Sequence, residues 1–245
     1  IGNSSHPFKG NFDGGRHIIS GLYININHQS RSYQGLFGYV EGGTIKNLGV
    51  VNADINASDA IVGGVAGVAT DNITIENCFV TGSLTGNLVG GIVGSIYDGV
   101  NTIKNCYFNG TISAELMHAG GIIAGCNIGQ TTVENCYTLG ILKGGSNAYN
   151  GGIVGYADSS SQFAVQNCAA LQKLVSGDGR VLGIQSTNVT LQDNIAFAGM
   201  LDKDNAMNWN EALSKNGAAK TAADLQTAAA FPTGFISAPW TYTLD

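Results

Sequence analysis

A glycine phrase returns along the chain at a nearly constant interval. It reads Gly35-Leu36-Phe37-Gly38, Gly64-Val65-Ala66-Gly67, Gly91-Ile92-Val93-Gly94, Gly121-Ile122-Ile123-Ala124-Gly125 and Gly152-Ile153-Val154-Gly155. The period is about 30 residues, which lies in the range of solenoid repeats and falls short of the roughly 40 or more that a propeller blade needs. A second phrase follows each copy: Ile45-Lys46-Asn47-Leu48, Ile75-Glu76-Asn77-Cys78, Ile103-Lys104-Asn105-Cys106, Val133-Glu134-Asn135-Cys136 and Val165-Gln166-Asn167-Cys168. A degenerate copy, Asp193-Asn194-Ile195, ends the series, and the asparagines keep the same period throughout. Each such unit has one apolar face that it can bury only by stacking on the next unit. The expected fold is all-β: a right-handed single-stranded parallel β-helix of about seven coils, with stacked strands about 4.8 Å apart.

Stacking assigns a role to each position of the second phrase. Strand alternation turns Ile103 inward and Lys104 outward. Asn105 turns the corner, because asparagine tolerates a left-handed backbone and its amide can bond the asparagine one coil away. Cys106 resumes the inward course as a small apolar filler. The ladder expected is therefore Asn47, Asn77, Asn105, Asn135, Asn167 and Asn194, beside a row of Cys78, Cys106, Cys136 and Cys168. The residues before the asparagines run Lys46, Glu76, Lys104, Glu134, Gln166 and Asp193. Alternating charges on adjacent strands would contribute roughly 0.2–1 kcal/mol per pair. A leucine-rich-repeat horseshoe has an asparagine ladder too, but the leucine framework it needs is missing here.

The ends differ from the middle. At the front, the stretch from Phe8 to Gly15 followed by Ile18 to Ile24 reads as a hairpin or a first coil, with Asp13-Gly14 as the turn. At the back, the pattern dissolves after Ala198. Thr221-Ala222-Ala223-Asp224 resembles a capping box opening a short helix through Ala230, and Phe235-Ile236 with Trp240-Thr241-Tyr242 offers a last aromatic strand. Residues 1–199 are read as the solenoid and residues 200–245 as a cap on the same domain.

Composition narrows the partners. The chain of 245 residues holds 36 glycines and only 11% charged residues, with a formal charge of −6. It is too apolar for disorder and too rich in glycine for a helical bundle. Lysines and arginines are few and not clustered along the sequence, which argues against nucleic acid, anionic membranes and polyanions generally. The longest apolar stretch, Ala60 to Ala69, is broken by glycines and falls short of the roughly 18 residues that span a bilayer. Ile1 is not a start methionine, and the expectation is that the sequence is a piece of a longer one.

These phrases resemble the GLUG-motif repeats, named for Gly-Leu-(any)-Gly as in Gly35-Leu36-Phe37-Gly38. The opening Phe8-Lys9-Gly10-Asn11-Phe12-Asp13-Gly14, the Ile-x-Asn-Cys-Tyr phrases and the tail from Gly217 to Thr221 leading to Trp240 are also similar to proteins carrying those repeats. The resemblance implies a secreted or surface protein of a bacterium. It extends to adhesin-like proteins and to the immunoglobulin A1-cleaving metallopeptidases, in which the repeats lie outside the zinc domain.

The familiar catalytic motifs are incomplete in this chain. Zinc proteolysis needs H-E-x-x-H, and His6, His17, His28 and His118 are solitary. The nearest approach to a serine-hydrolase elbow, Gly82-Ser83-Leu84-Thr85-Gly86, places its serine one position early. Four cysteines in a straight row cannot surround a tetrahedral metal, and a spacing of about 4.8 Å exceeds disulfide reach, so free buried thiols are expected. Asp193, Asp202, Lys203 and Asp204 form the one dense charged group, from which Asp202 and Asp204 are the candidates for polysaccharide chemistry. Tyr39 and Tyr156 share an outward position after the glycine phrase, with Tyr97 nearby, and could stack on sugars, although Val68 and Ser95 interrupt that row. Phe79, Tyr107 and Tyr137 make a more continuous row, expected to pack under a loop. The resulting expectation is a non-catalytic adhesive or structural module, without cofactor or metal, whose partner is a host protein or a glycan.

Overall fold

The structure is a computed structural model that describes residues 1–27, 32–145, 148–184, 188–210 and 214–235. The expected His28 and the final strand around Trp240, Thr241 and Tyr242 lie outside the described residues.

Strands of successive repeats pair in parallel and in register. Phe12, Ile45, Ile75, Ile103, Val133, Val165 and Leu191 form one inward row across seven stacked strands, which makes about six full turns. A second inward row runs Ile24, Ile55, Leu84, Ile112, Leu142 and Val175. Apart from the half-buried Phe12, Ile24 and Leu191 these residues are no more than 1% exposed, and all belong to or pack on one continuous core. The front segment Phe8–Ser20 pairs in parallel with the strand that contains Ile45, so it is a first coil and not a hairpin. Phe8 and Phe12 close this end by packing their rings on Phe37, at 4.9 and 5.5 Å between centroids.

The corner after each inward isoleucine or valine is left-handed. Asn47, Asn77, Asn105, Asn135 and Asn167 have φ between 52° and 55°. For most side chains that backbone costs about 1–2 kcal/mol, and asparagine lowers the cost by bonding locally. In the last coil the corner belongs to Asp193, φ 52°, which departs from the ladder expected to include Asn194. Asn194 sits one place later, inside, where earlier coils carry cysteine. Its amide donates to the Val165 carbonyl at 2.7 Å and accepts the Cys168 N–H at 2.9 Å, so a polar side chain is satisfied at a core position.

The outward charges stack as their spacing requires. Glu76 is the strand neighbour of both Lys46 and Lys104, Lys104 is followed by Glu134, and Asp13 lies beside Lys46. Ion pairs form between Lys104 and Glu76 at 3.3 Å and between Lys46 and Asp13 at 3.5 Å. The row ends at Gln166 and Gln192, not Asp193.

The back of the solenoid is closed by irregular chain. Ala218–Lys220 adds one more parallel strand onto Ile195–Phe197. Trp209 packs on the core and donates its indole N–H to the Met200 carbonyl at 2.8 Å. The buried Arg180 donates from Nε to the Asn216 carbonyl at 3.0 Å and from Nη2 to the Gly217 carbonyl at 3.2 Å. The expected helix after Thr221 is instead two 3-10 turns, Asp224–Gln226 and Ala228–Ala230, separated by an extended Thr227. Its capping box does form: the Asp224 carboxylate accepts from the Thr221 N–H and hydroxyl, both at 2.8 Å, and Thr221 Oγ1 accepts the Asp224 N–H at 3.2 Å. A further 3-10 turn, Thr233–Phe235, follows Pro232, and Phe235 packs with Ala169 and Ile195 on the coils.

Candidate functional site

The asparagine side chains form a directed chain of hydrogen bonds. Asn135 donates to Asn105 at 3.3 Å, Asn105 to Asn77 at 3.2 Å, Asn77 to Asn47 at 3.1 Å, and Asn47 to the Asp13 carboxylate at 3.0 Å. Every amide points its N–H toward the front of the molecule, so the partially positive end of the series meets a negative charge. The Asn47 amide, the Gly15 N–H and Lys46 together hold the Asp13 carboxyl below the usual carboxylate range. At the other end Gly234 lies against Asn135, where a side chain would collide with the amide oxygen. The cysteines follow the same stacking. Cys78, Cys106, Cys136 and Cys168 are buried free thiols that donate to carbonyls of their own and the preceding coil at 3.2–3.8 Å. These two rows build the scaffold, the cysteines buried and the asparagines half-buried at the corner.

The surface aromatics fall into two groups. Tyr39 and Tyr156 do share an outward row, through Val68, Ser95 and Gly125. They are four strand spacings apart, about 19 Å at about 4.8 Å each, and form no common platform. Tyr39 packs against Tyr33 with ring centroids 5.4 Å apart, and burial raises its hydroxyl pKa. Tyr97 is 36% exposed on an adjacent row. Tyr156 belongs to a cluster that its position alone did not indicate: its ring stacks on His118 at 4.7 Å and on Tyr149 at 5.8 Å. The signal was present, because His118 and Tyr149 are separated by one repeat period and thus by one coil. The Tyr156 hydroxyl donates to Asp158 at 2.7 Å, which raises the tyrosine to about 12, while Ser160 and Tyr156 lower the aspartate to about 2. Burial lowers the His118 pKa, and its Nδ1 accepts the Tyr149 N–H at 2.9 Å.

The second group is the continuous row. Phe79 and Tyr107 stack at 4.9 Å with 5° between planes, and Tyr107 and Tyr137 at 4.7 Å with 11°. At the front, Phe79 lies over Gly49, where a side chain would strike its ring. At the back the row would stop at Ala169 and Ile195, and Phe235 supplies the missing ring by meeting Tyr137 edge-on at 6.1 Å.

Asp202 and Asp204 do not face each other as a catalytic pair would. Asp202 is 9% exposed, and its Oδ1 accepts the N–H groups of Asp204 at 2.9 Å and Ala206 at 3.0 Å, which braces a tight turn. Asp204 is exposed. Among the described residues no three His, Cys, Asp or Glu side chains are grouped to hold a metal ion, and no helix is long and apolar enough to cross a membrane.

The family model of the GLUG motif matches residues 59–85, a stretch holding one glycine phrase and the corner at Asn77. A crystal structure from Bacteroides ovatus, named as a candidate immunoglobulin A1 protease, has a similar fold, with a TM-score of 0.70 and 24% sequence identity over 90% of this chain and 71% of that one. Likeness at that identity concerns the fold and not an activity. No curated protein sequence matches the chain. The chain is a parallel β-solenoid that carries a GLUG motif at residues 59–85.

Proposed function

We propose that the chain is a non-catalytic module of a secreted or surface protein of a bacterium, with an adhesive or structural role. Its rows of outward side chains would meet a host protein or a glycan. The observation that supports this reading is the stacking: one core runs the length of the coils and a directed hydrogen-bond chain links the corners from Asn135 forward to Asp13, which gives a scaffold with a repeating outer face. The GLUG motif and the likeness to the Bacteroides ovatus structure fit an accessory region of an extracellular protein. A polysaccharide-active enzyme using Asp202 and Asp204 is the competing reading, and the role of Asp202 in bracing its turn weighs against it. A glycan array combined with a reducing-sugar assay separates the two. Binding without turnover is the expected result, and turnover that disappears in Asp202→Asn would overturn the module reading.

A further inference from the structure

Three lysines spaced evenly in sequence, one repeat period apart, line one cleft of about 610 Å³ on the outer face of the last coils: Lys143, Lys173 and Lys203. Read along the sequence they look scattered. The repeat brings them together, which corrects the expectation that this chain has no cationic cluster. Ile141 pairs with Leu174 and Lys143 with Ser176, and Leu174 bridges to Leu201. Ile141, Leu174 and Leu201 therefore form an outward, half-buried apolar strip, with Lys143, Ser176 and Lys203 on the row beside it and Lys173 at the strip's near end. On the two preceding coils the same two rows are small and polar, Ser83 and Thr111 beside Thr85 and Ser113, and further forward they carry Asp54 and Tyr23 beside Asn56 and Asn25, with no lysine. The change is confined to the last three coils. All three lysines are exposed, and none is in a salt bridge among the described residues.

We infer that this cleft, on the reading that the module binds a partner, is a binding site for an acidic oligosaccharide with about one carboxylate per sugar. Its charge argues for an anion on a chain that is otherwise acidic: each of the three coils contributes one lysine, with Lys143 and Lys203 on one row two strand spacings apart, about 10 Å, and Lys173 at the other end of the strip. Its floor argues for a sugar. The backbones of Ile141–Lys143 and Leu174–Ser176 are already paired between coils, so a peptide lying flat on this face finds no ladder of free N–H and C=O groups to join. A pyranose instead places C–H groups on the leucines and hydroxyls toward Ser176 and Asn205, which also line the cleft. A densely sulfated chain would bring more negative charge than three lysines balance, close to the exposed Asp204.

The test is calorimetric titration of the full chain with oligogalacturonate at low and high salt. Methyl-esterified oligogalacturonate, dextran sulfate and poly-L-glutamate serve as comparisons. Binding of the free acid that weakens with salt is expected, with a loss of about tenfold or more in the triple variant Lys143→Gln, Lys173→Gln, Lys203→Gln at an unchanged melting temperature. Equal binding of the methyl ester would overturn the charge assignment while leaving a glycan-binding module intact. Poly-L-glutamate or dextran sulfate binding as tightly as the uronate would overturn the choice of ligand class. Absence of binding to oligogalacturonate would overturn this inference alone, because the module reading stands or falls on the array and turnover assay.

Discussion

Asn105 donates its side-chain amide to Asn77, one coil toward the front, at 3.2 Å, and accepts the amide of Asn135 at 3.3 Å. Asn105→Ala removes both bonds and leaves an alanine at φ 53°. A loss of about 1–3 kcal/mol in urea unfolding is expected. Asn105→Gly keeps the left-handed corner at no steric cost and should lose less than alanine does. Equal stability of wild type and Asn105→Ala would show that the amides do not support one another.

The front of that series makes a prediction about protons. Asp13 titrates below the usual range because Asn47, Gly15 and Lys46 favour its charged form. A depressed carboxyl contributes stability above its unfolded pKa, and the contribution is lost as pH falls through the lower folded value, so the window lies below about pH 4. In Asn47→Ala the Asp13 carboxyl should titrate at higher pH, as followed by its carbon chemical shift in NMR. An unmoved titration would remove Asn47 as the main cause.

The thiols should be silent until the coils open. All five cysteines are free and buried, and burial pushes Cys106 and Cys136 well above the ordinary thiol range. A disulfide-exchange reagent at mildly alkaline pH should find no reactive thiol in the native chain and five in denaturant, because reactivity follows the exposed thiolate. Fewer than five in denaturant would mean a disulfide and a different stacking.

The C-terminal segment should detach without unwinding the solenoid. Phe235 completes the ring row beside Tyr137, and Gly234 fits against Asn135 where no side chain fits. Gly234→Ala and Phe235→Ala should each speed proteolytic cleavage within residues 221–235 and expose Tyr137 to a fluorescence quencher. The main unfolding transition should change little, since Phe235 belongs to a small cluster separate from the long core. A parallel collapse of the whole transition would make the segment part of the cooperative unit.

The coils were legible in the sequence because stacking is periodic. The repeat period determines which isoleucines point in, which asparagines turn the corner and which charges meet, and Glu76 does lie between Lys46 and Lys104. Less is legible where periodicity lapses. Residue type aligns the last copy on Asn194, whereas backbone geometry gives the corner to Asp193, and the core accepts an asparagine because two backbone groups satisfy it. The helix expected after Thr221 has its cap, but the chain turns extended at Thr227, and beyond it Phe231 and Phe235 pack on Tyr137, Ala169 and Ile195, a long-range contact that local residue preferences do not reveal. The His118 cluster emerges only in register, because His118 and Tyr149 differ in type although one period apart, while the evenly spaced Lys143, Lys173 and Lys203 lie outside the glycine and asparagine phrases that mark the repeat.

The central claim is that equivalent residues of successive repeats touch one another, and a crystal structure of this chain measures it directly. The account predicts side-chain amides queued along one axis, with Asn135 to Asn105, Asn105 to Asn77, Asn77 to Asn47 and Asn47 to Asp13 each within hydrogen-bond reach. Asparagines 47, 77, 105 and 135 found on different faces, or separated by more than one strand, would contradict it.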